Sequence, residues 1–552
     1  MLSTVLSILL SIFTPPVDYE ISLAGNFGEP RPNHFHGGLD IKTDGVEGKH
    51  IYAIGDGYVS RVTCGLYGFG NAVYITHPTG HTSVYCHLKS FSPRIQAALR
   101  RYQYRHQTSV ADARLSPLDV PVSQGQFIAL SGNTGHSTAP HLHLEVHDTR
   151  SWDMLDPYAF LNESINDSVA PQAHAFMAIP QDAFSRFNGS SRKSPFSILN
   201  TQLKTAWGRV GFAVWADDYM QGSYNHYGIR ETLLTVDGQQ VFHSCVDRIP
   251  VEQNRMVNSW GDYDHYRVSH VWYMKSYIEP GNTLGILRAN ENRGIVDFNE
   301  ERDYHLEYIL RDFKGNESHY PFVIRGVKPA GPLSPARGTA PPYPVFHWNR
   351  TNTYSRPGMQ LVVPYGLLTT DVELTPTVIS QQDGYSNAYS FAAVSLPLMA
   401  DAELSIYVGQ HRSTQIEKTE LQSQGDESKY YIADELGRFM GGTYQDGWVT
   451  GHIRELASRY HVAYDETPPQ VRLLSQGVRI ALSVIDQESG IDSWTATLDG
   501  RFVVFDAIEK SSTFACDLSQ SPVPPTGKPR RLVFSVTDRR QNTQTFEATV
   551  NY

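Results

Sequence analysis

Apolar positions along this chain recur mostly with a period of two. From Ile51 to Leu88 the sequence runs I-Y-A-I-G-D-G-Y-V-S-R-V, G-N-A-V-Y-I-T-H and G-H-T-S-V-Y-C-H-L, with turn-forming Asp56-Gly57 and Pro78-Thr79-Gly80 between the runs. Side chains leave a strand on alternate faces, so this alternation predicts half-buried strands. The pattern changes between Ser90 and Pro121, where Ile95, Ala98, Leu99 and Tyr102 fall at helical spacing. Ser92 as N-cap and Pro93 in the first turn predict a helix there, with Arg94, Arg100, Arg101 and Arg105 on its polar face.

Alternation resumes after a linker-like stretch from Asp167 to Pro171, and with it a repeat. Gly228-Ile229 precedes Asp237-Gly238 by the same nine residues that separate Gly490-Ile491 from Asp499-Gly500. Asp312 and Asn316 in L-E-Y-I-L-R-D-F-K-G-N match Asp538 and Asn542 in L-V-F-S-V-T-D-R-R-Q-N. The repeat predicts two immunoglobulin-like β-sandwiches, at 168–328 and 466–552. Asp217-Asp218 and Asp486 inside these copies suit calcium or turn caps, and turn caps are the simpler reading. Residues 329–465 are β-patterned again, without a catalytic constellation. At the other end, residues 1–13 form an apolar run too short for a stable bilayer span and placed where a secretory signal belongs, so 1–18 reads as a signal peptide. The run lacks a basic start, which keeps a buried N-terminal strand open as the other reading.

A chain of 552 residues exceeds one hydrophobic core and implies about three or four domains. Its 43 Gly, 32 Pro and 31 Tyr favour short strands and turns, so the expected fold is mostly β. The net charge of −11 comes without a basic block, which argues against nucleic acid and against electrostatic adhesion to an anionic surface. No stable membrane span is expected once the signal is removed. Four cysteines, Cys64, Cys86, Cys245 and Cys516, make neither a disulfide framework nor a Cys-rich metal site. H-E-x-x-H, G-x-S-x-G and a phosphate-binding Gly loop are all missing from the sequence, which removes three enzyme classes.

Chemistry concentrates near the start, where 11 of the 22 histidines fall in the first 147 residues. Ser131 to His147 reads S-G-N-T-G-H-S-T-A-P-H-L-H-L-E-V-H, a loop feeding a strand whose outer face carries His141, His143 and Glu145. Alone, that face is either a metal or acid/base face or a solvated strand face. His36 and Asp40 in N-H-F-H-G-G-L-D-I and His87 in V-Y-C-H-L-K supply further partners. Two His and one carboxylate as ligands, with two histidines to spare, suit a catalytic zinc that keeps an open position. His77 and His81 flank a turn and read as surface histidines, and His34 as cleft wall.

In order along the chain, H-G-G-L-D, Y-C-H-L and G-N-T-G-H-S-T-A-P-H-L-H-L-E-V resemble the LytM/lysostaphin-type zinc endopeptidases of bacterial cell walls, over roughly Ala24 to Pro157. The resemblance implies an antiparallel β-sheet peptidase domain of the duplicated-hybrid-motif fold at 19–166, with a helical insertion at about 90–121. It implies one Zn²⁺ per chain held by His36, Asp40 and His143, with His87 and His141 as unligated catalytic histidines. The implied activity is hydrolysis of peptidoglycan stem peptides or cross-links by metal-activated water, after export to the periplasm or cell envelope. The alternative is a non-catalytic scaffold that binds wall peptide or activates an amidase. On this reading the insertion could wall the cleft, its arginines meeting acidic stem-peptide groups. The β-domains are expected to dock a cell-envelope protein partner and to position the enzyme. A fragment ending near Asn166 is expected to fold, bind zinc and cut short peptides.

Overall fold

The computed structural model describes residues 13–65, 68–198, 202–330, 343–381, 384–408, 426–508 and 510–552. Strand accounts for 46% of it and helix for 9%, the mostly β class that the alternation predicts. Among the described residues no helix is long and apolar enough to cross a membrane.

The N-terminal domain is built on a 10-stranded sheet. Its main path joins β1 (Leu23–Gly25), β2 (Leu39–Lys42), β3 (Gly57–Cys64), β4 (Ala72–Thr76), β5 (His81–Cys86), β6 (Ala111–Arg114) and β7 (His141–Asp148) in the antiparallel order β1-β2-β7-β5-β4-β3-β6. One face of the sheet packs on a core that includes Leu39, Ile41, Val59, Val62, Val73, Ile75, Leu142, Leu144 and Val146. A smaller sheet of Ser90–Phe91, Phe127–Leu130 and His50–Tyr52 closes that core from the far side. Each such aliphatic side chain taken out of water stabilises the domain by roughly 1.5–3 kcal/mol. The opposite face carries the histidines beside a small apolar cluster of Ala72, Tyr74, Val84 and Cys86.

Phe13 to Val17 belong to this domain. Val17 lies in the core, the Thr14 N–H donates to the Ile54 carbonyl at 2.8 Å, and the Phe13 ring sits 4.8 Å from His77. The folded domain therefore reaches into the 1–18 stretch read as a signal, whose first 12 residues lie outside the described ones.

Helix α1 (Pro93–His106) forms as its spacing predicts and buries Ile95, Ala98, Leu99 and Gln103. Ser92 caps through its carbonyl, accepting from the Gln96 N–H at 2.8 Å, and its hydroxyl makes no capping bond. The arginine face differs from expectation. Arg100 pairs with Asp506 at 2.7 Å, Tyr104 packs edge-on against Phe502, and the Phe505 N–H donates to the Ser109 hydroxyl at 3.1 Å. The helix docks the last β-domain instead of walling the histidine face.

Three further large cores follow among the described residues. The first surrounds the long strand Lys204–Asp217 within an 11-stranded sheet, with Phe196 packed against it. The second includes Phe346, Leu361, Leu404 and Ile453 around a five-stranded sheet. The last is a sandwich of two four-stranded sheets enclosing Ile480, Leu498, Phe514 and Phe534. The first β-domain is tied to the N-terminal domain: Met154–Leu155 pairs with Arg248–Ile249, and the Tyr227 hydroxyl donates to the Leu23 carbonyl at 2.9 Å.

Candidate metal centre

Strand alternation aims β7 at the site. Leu142, Leu144 and Val146 are wholly buried in the core, so His141, His143, Glu145 and His147 leave the other face. On β2, Asp40 is the direct cross-strand partner of His143, which puts both side chains on that face within contact distance. His36 arrives from the loop before β2, and Gly37 and Gly38 let that loop lie flat on β7. A Cβ on Gly38 would stand 2.1 Å from the Leu144 carbonyl oxygen, and one on Gly37 2.5 Å from Glu145 Oε1. Only hydrogen fits there.

Three donor atoms converge. His36 Nε2 lies 2.9 Å from Asp40 Oδ1 and 2.9 Å from His143 Nδ1, and His143 Nδ1 lies 2.8 Å from Asp40 Oδ1. The second nitrogen of each ring is committed elsewhere. His36 Nδ1–H donates to the Asn26 carbonyl at 2.6 Å, and His143 Nε2–H donates to Glu145 at 3.0 Å. In the tautomers these partners select, both rings turn a lone pair toward the same point. Behind them, His147 Nε2–H donates to Glu145 at 2.6 Å, and Arg31 Nη2 donates to Asp40 Oδ2 at 2.9 Å, leaving Oδ1 for the centre. Two imidazole nitrogens and one carboxylate oxygen, each backed by a fixed partner, could hold a divalent metal with a position left open.

Burial sets the electrostatics. Desolvation draws His36 down to about 4 despite the neighbouring Asp40. His143 goes the other way: burial opposes its charge, but hydrogen bonds to Asp40 and Glu145 outweigh burial and lift it to about 9. Burial works against the Asp40 and Glu145 charges too, yet the surrounding histidines hold both well below the usual carboxylate range. A protonated His143 places positive charge between these two carboxylates, and a metal binding at its Nδ1 would displace that proton.

His87 and His141 flank the centre. His87 follows β5 with φ 59°, a left-handed conformation uncommon outside glycine, held by its N–H donating to the Phe69 carbonyl at 3.0 Å. Its Nδ1–H donates to the Thr134 carbonyl at 2.7 Å, and burial followed by the neighbouring His143 and His141 draws it down to about 3. His141 Nδ1–H donates to the Ala139 carbonyl at 2.8 Å, and its Nε2 lies 3.2 Å from Asp40 Oδ1. The His87 and His141 rings are 5.0 Å apart. His87, His141 and His143 make a second set of three nitrogens within 4.8 Å of one another. The first set, with separations of 2.8–2.9 Å, is the tighter.

All five residues singled out in the sequence therefore meet at one place, and four of them, His36, Asp40, His87 and His143, line a cavity of about 350 Å³. His34 lines it, as do Arg61, Phe69, Tyr74 and Trp152. His77 departs from its surface reading: it is buried, with Nδ1 2.8 Å from the Asp56 carbonyl and Nε2 2.8 Å from the Ser83 hydroxyl. Sequence reasoning missed His147, although continued alternation from His143 points to it, and Arg31, for which no local signal exists. It also missed Val251 and Asn254, which reach the cavity from the first β-domain. Asn254 Oδ1 accepts from the Phe35 N–H at 2.6 Å, next to His36.

Residues 34–103 match the model of peptidase family M23. The chain carries an M23 peptidase domain of the LytM type. The matched segment of the M23 domain contains His36, Asp40 and His87 and ends before β7. A second model, a Zu5-like domain, matches residues 344–465, the stretch that the sequence left without a role. An uncharacterised metalloprotease of Haemophilus influenzae is 32% identical over 120 residues, which is 22% of this chain and 19% of that protein. Peptidoglycan DD-endopeptidase ShyA of Vibrio cholerae is 32% identical over 138 residues, 24% of this chain and 26% of the relative. The chain thus spans about a quarter or less of these relatives' lengths. Among solved structures, the catalytic domain of lysostaphin from Staphylococcus simulans is 25% identical with a TM-score of 0.20, covering 26% of this chain and 93% of that one.

Proposed function

We propose that the M23 domain is a zinc-dependent endopeptidase that hydrolyses peptide bonds in peptidoglycan stem peptides or cross-links, working outside the cytoplasm. The observation that carries this reading is the convergence of His36 Nε2, Asp40 Oδ1 and His143 Nδ1 within 2.9 Å, each oriented by a partner behind it. The likeness to a peptidoglycan DD-endopeptidase of Vibrio cholerae supports the substrate class.

Zinc, when bound by His36, Asp40 and His143, supplies Lewis acidity toward a scissile carbonyl and acidifies water. His87 and His141 do the proton work. Each has Nδ1–H tied to a backbone carbonyl, so each keeps Nε2 as a base and, once protonated, as an N–H donor to charge growing on a substrate oxygen. Depressed basicity keeps His87 neutral, with its Nε2 lone pair free. Arg31 and Glu145 fix Asp40 and His143.

The deciding experiment digests purified peptidoglycan with the full chain and identifies new peptide termini by mass spectrometry, alongside metal analysis. About one zinc per chain and new termini that vanish in Asp40→Ala are expected. Bound wall peptide without new termini would return the domain to a scaffold role.

A further inference from the structure

We propose that a calcium ion binds where the M23 domain joins the first β-domain, held by Asp167, Asp218 and Asp312. One oxygen from each carboxylate lies within 4.8 Å of the others. Oxygens bound to Ca²⁺ at about 2.3–2.6 Å stand at most about 5 Å apart, so one ion can touch all three. An all-oxygen, all-carboxylate set selects a hard cation and sets this place apart from the histidine centre. The three residues come from three elements: Asp167 from the connector, Asp218 from the residue after the strand Lys204–Asp217, and Asp312 from the residue after the strand Asp303–Arg311.

Turn capping explains part of the cluster and leaves a remainder. Asp167 Oδ1 accepts from the Val169 N–H at 3.0 Å, and Asp312 accepts from the backbone and side-chain amides of Asn316 at 2.9 and 2.6 Å. Asp218 is only 6% exposed, yet its Oδ1 has no hydrogen-bond partner among the described residues. The Tyr158 hydroxyl, on an equally buried residue of the M23 domain, has none either and feels the charges of Asp167, Asp312 and Asp218. Leaving a buried carboxylate oxygen without a partner is costly, and a cation bound by the three aspartates removes that cost for Asp218. Without one, burial and mutual repulsion push Asp218 up to about 8 and Asp167 to about 6. The nearby Lys314, 5.9 Å from the Tyr158 ring, offsets this only in part.

The second copy of the repeat provides an internal contrast. Asp465, Asp486 and Asp538 form the same kind of cluster, but there Asp486 Oδ1 accepts from the Glu488 and Gly490 N–H groups and Asp465 from those of Thr467 and Ser489. Its carboxylates are accounted for by turns. The proposal therefore concerns the first cluster alone.

The test titrates CaCl₂ into the full chain in calcium-free buffer, following heat of binding and thermal midpoint. One Ca²⁺ per chain is expected in the wild type and in His143→Ala, with a raised midpoint. Asp218→Asn should bind at least about tenfold more weakly and lose the calcium-dependent rise, because a ligand charge is gone. Without calcium the same variant should be at least as stable as wild type, since it relieves repulsion. Should Asp218→Asn fail to fold, Asp167→Asn on the connector gives the same reading. No binding up to about 1 mM, tighter binding of MgCl₂ than of CaCl₂, or equal calcium affinity in wild type and variant overturns the proposal.

Discussion

At the scale of single residues, the centre is defined less by the three donor atoms than by what stands behind them. Arg31 takes one oxygen of Asp40 and thereby aims the other at His36 and His143. Arg31→Ala should keep the fold but lower zinc affinity by about 10–100-fold, read by competition with a chromophoric chelator, and Arg31→Lys should restore part of it. Retained affinity in Arg31→Ala would show that Asp40 is oriented by β2 alone. His141 makes the opposite case, since its Nδ1 is tied to the backbone and its ring is not needed by the three converging donors. His141→Ala should retain stoichiometric zinc and lose about 10²–10⁴ in kcat. Full turnover in that variant would return His141 to a structural role.

At the scale of elements, the site depends on how closely the His36–Asp40 loop lies on β7. Gly38 has the Leu144 carbonyl where a Cβ would be. Gly38→Ala must therefore push the loop off the strand and separate His36 from His143, with loss of zinc and a destabilisation of about 1–3 kcal/mol. Denaturant unfolding and metal content check both, and an unchanged zinc content would mean that β2 can shift without moving its ligands. Helix α1 answers to a different constraint. Its spacing dictates a helix, but Arg100 is used against Asp506, so its charge serves docking between domains.

At the scale of the whole molecule, the M23 domain does not stand apart from the β-domains. A strand pair, Met154–Leu155 with Arg248–Ile249, continues its sheet into the next domain, and Asn254 and Val251 finish its cavity. The last domain returns to the loop before β7, where Lys510 donates to the Asn133 and Ser137 carbonyls. These contacts run against the expectation that a fragment ending near Asn166 works alone. Such a fragment should be less stable than the full chain and far less active on short wall peptides, and adding residues 168–328 should restore most of the rate. A fragment as active as the full chain would reduce Asn254 and Val251 to bystanders.

Much of the M23 domain was legible in sequence because its information is local. Period-two alternation places β3 to β5 and β7, and the i, i+2 rule puts His141, His143, Glu145 and His147 on one face without reference to anything distant. Spacing also places α1, and the H-G-G-L-D glycines carry a physical demand for close approach. What only the tertiary structure decided is which distant groups meet. Arg31 on Asp40 joins residues nine apart that no strand or helix period relates, while Asn254 beside His36 and Arg100 on Asp506 join segments hundreds of residues apart. Alternation tells a side chain which face to leave, but the partner waiting there is set by chain packing. Val17 makes the same point: an apolar residue near the start reads alike as exported signal or buried core, and here its contacts put it in the core.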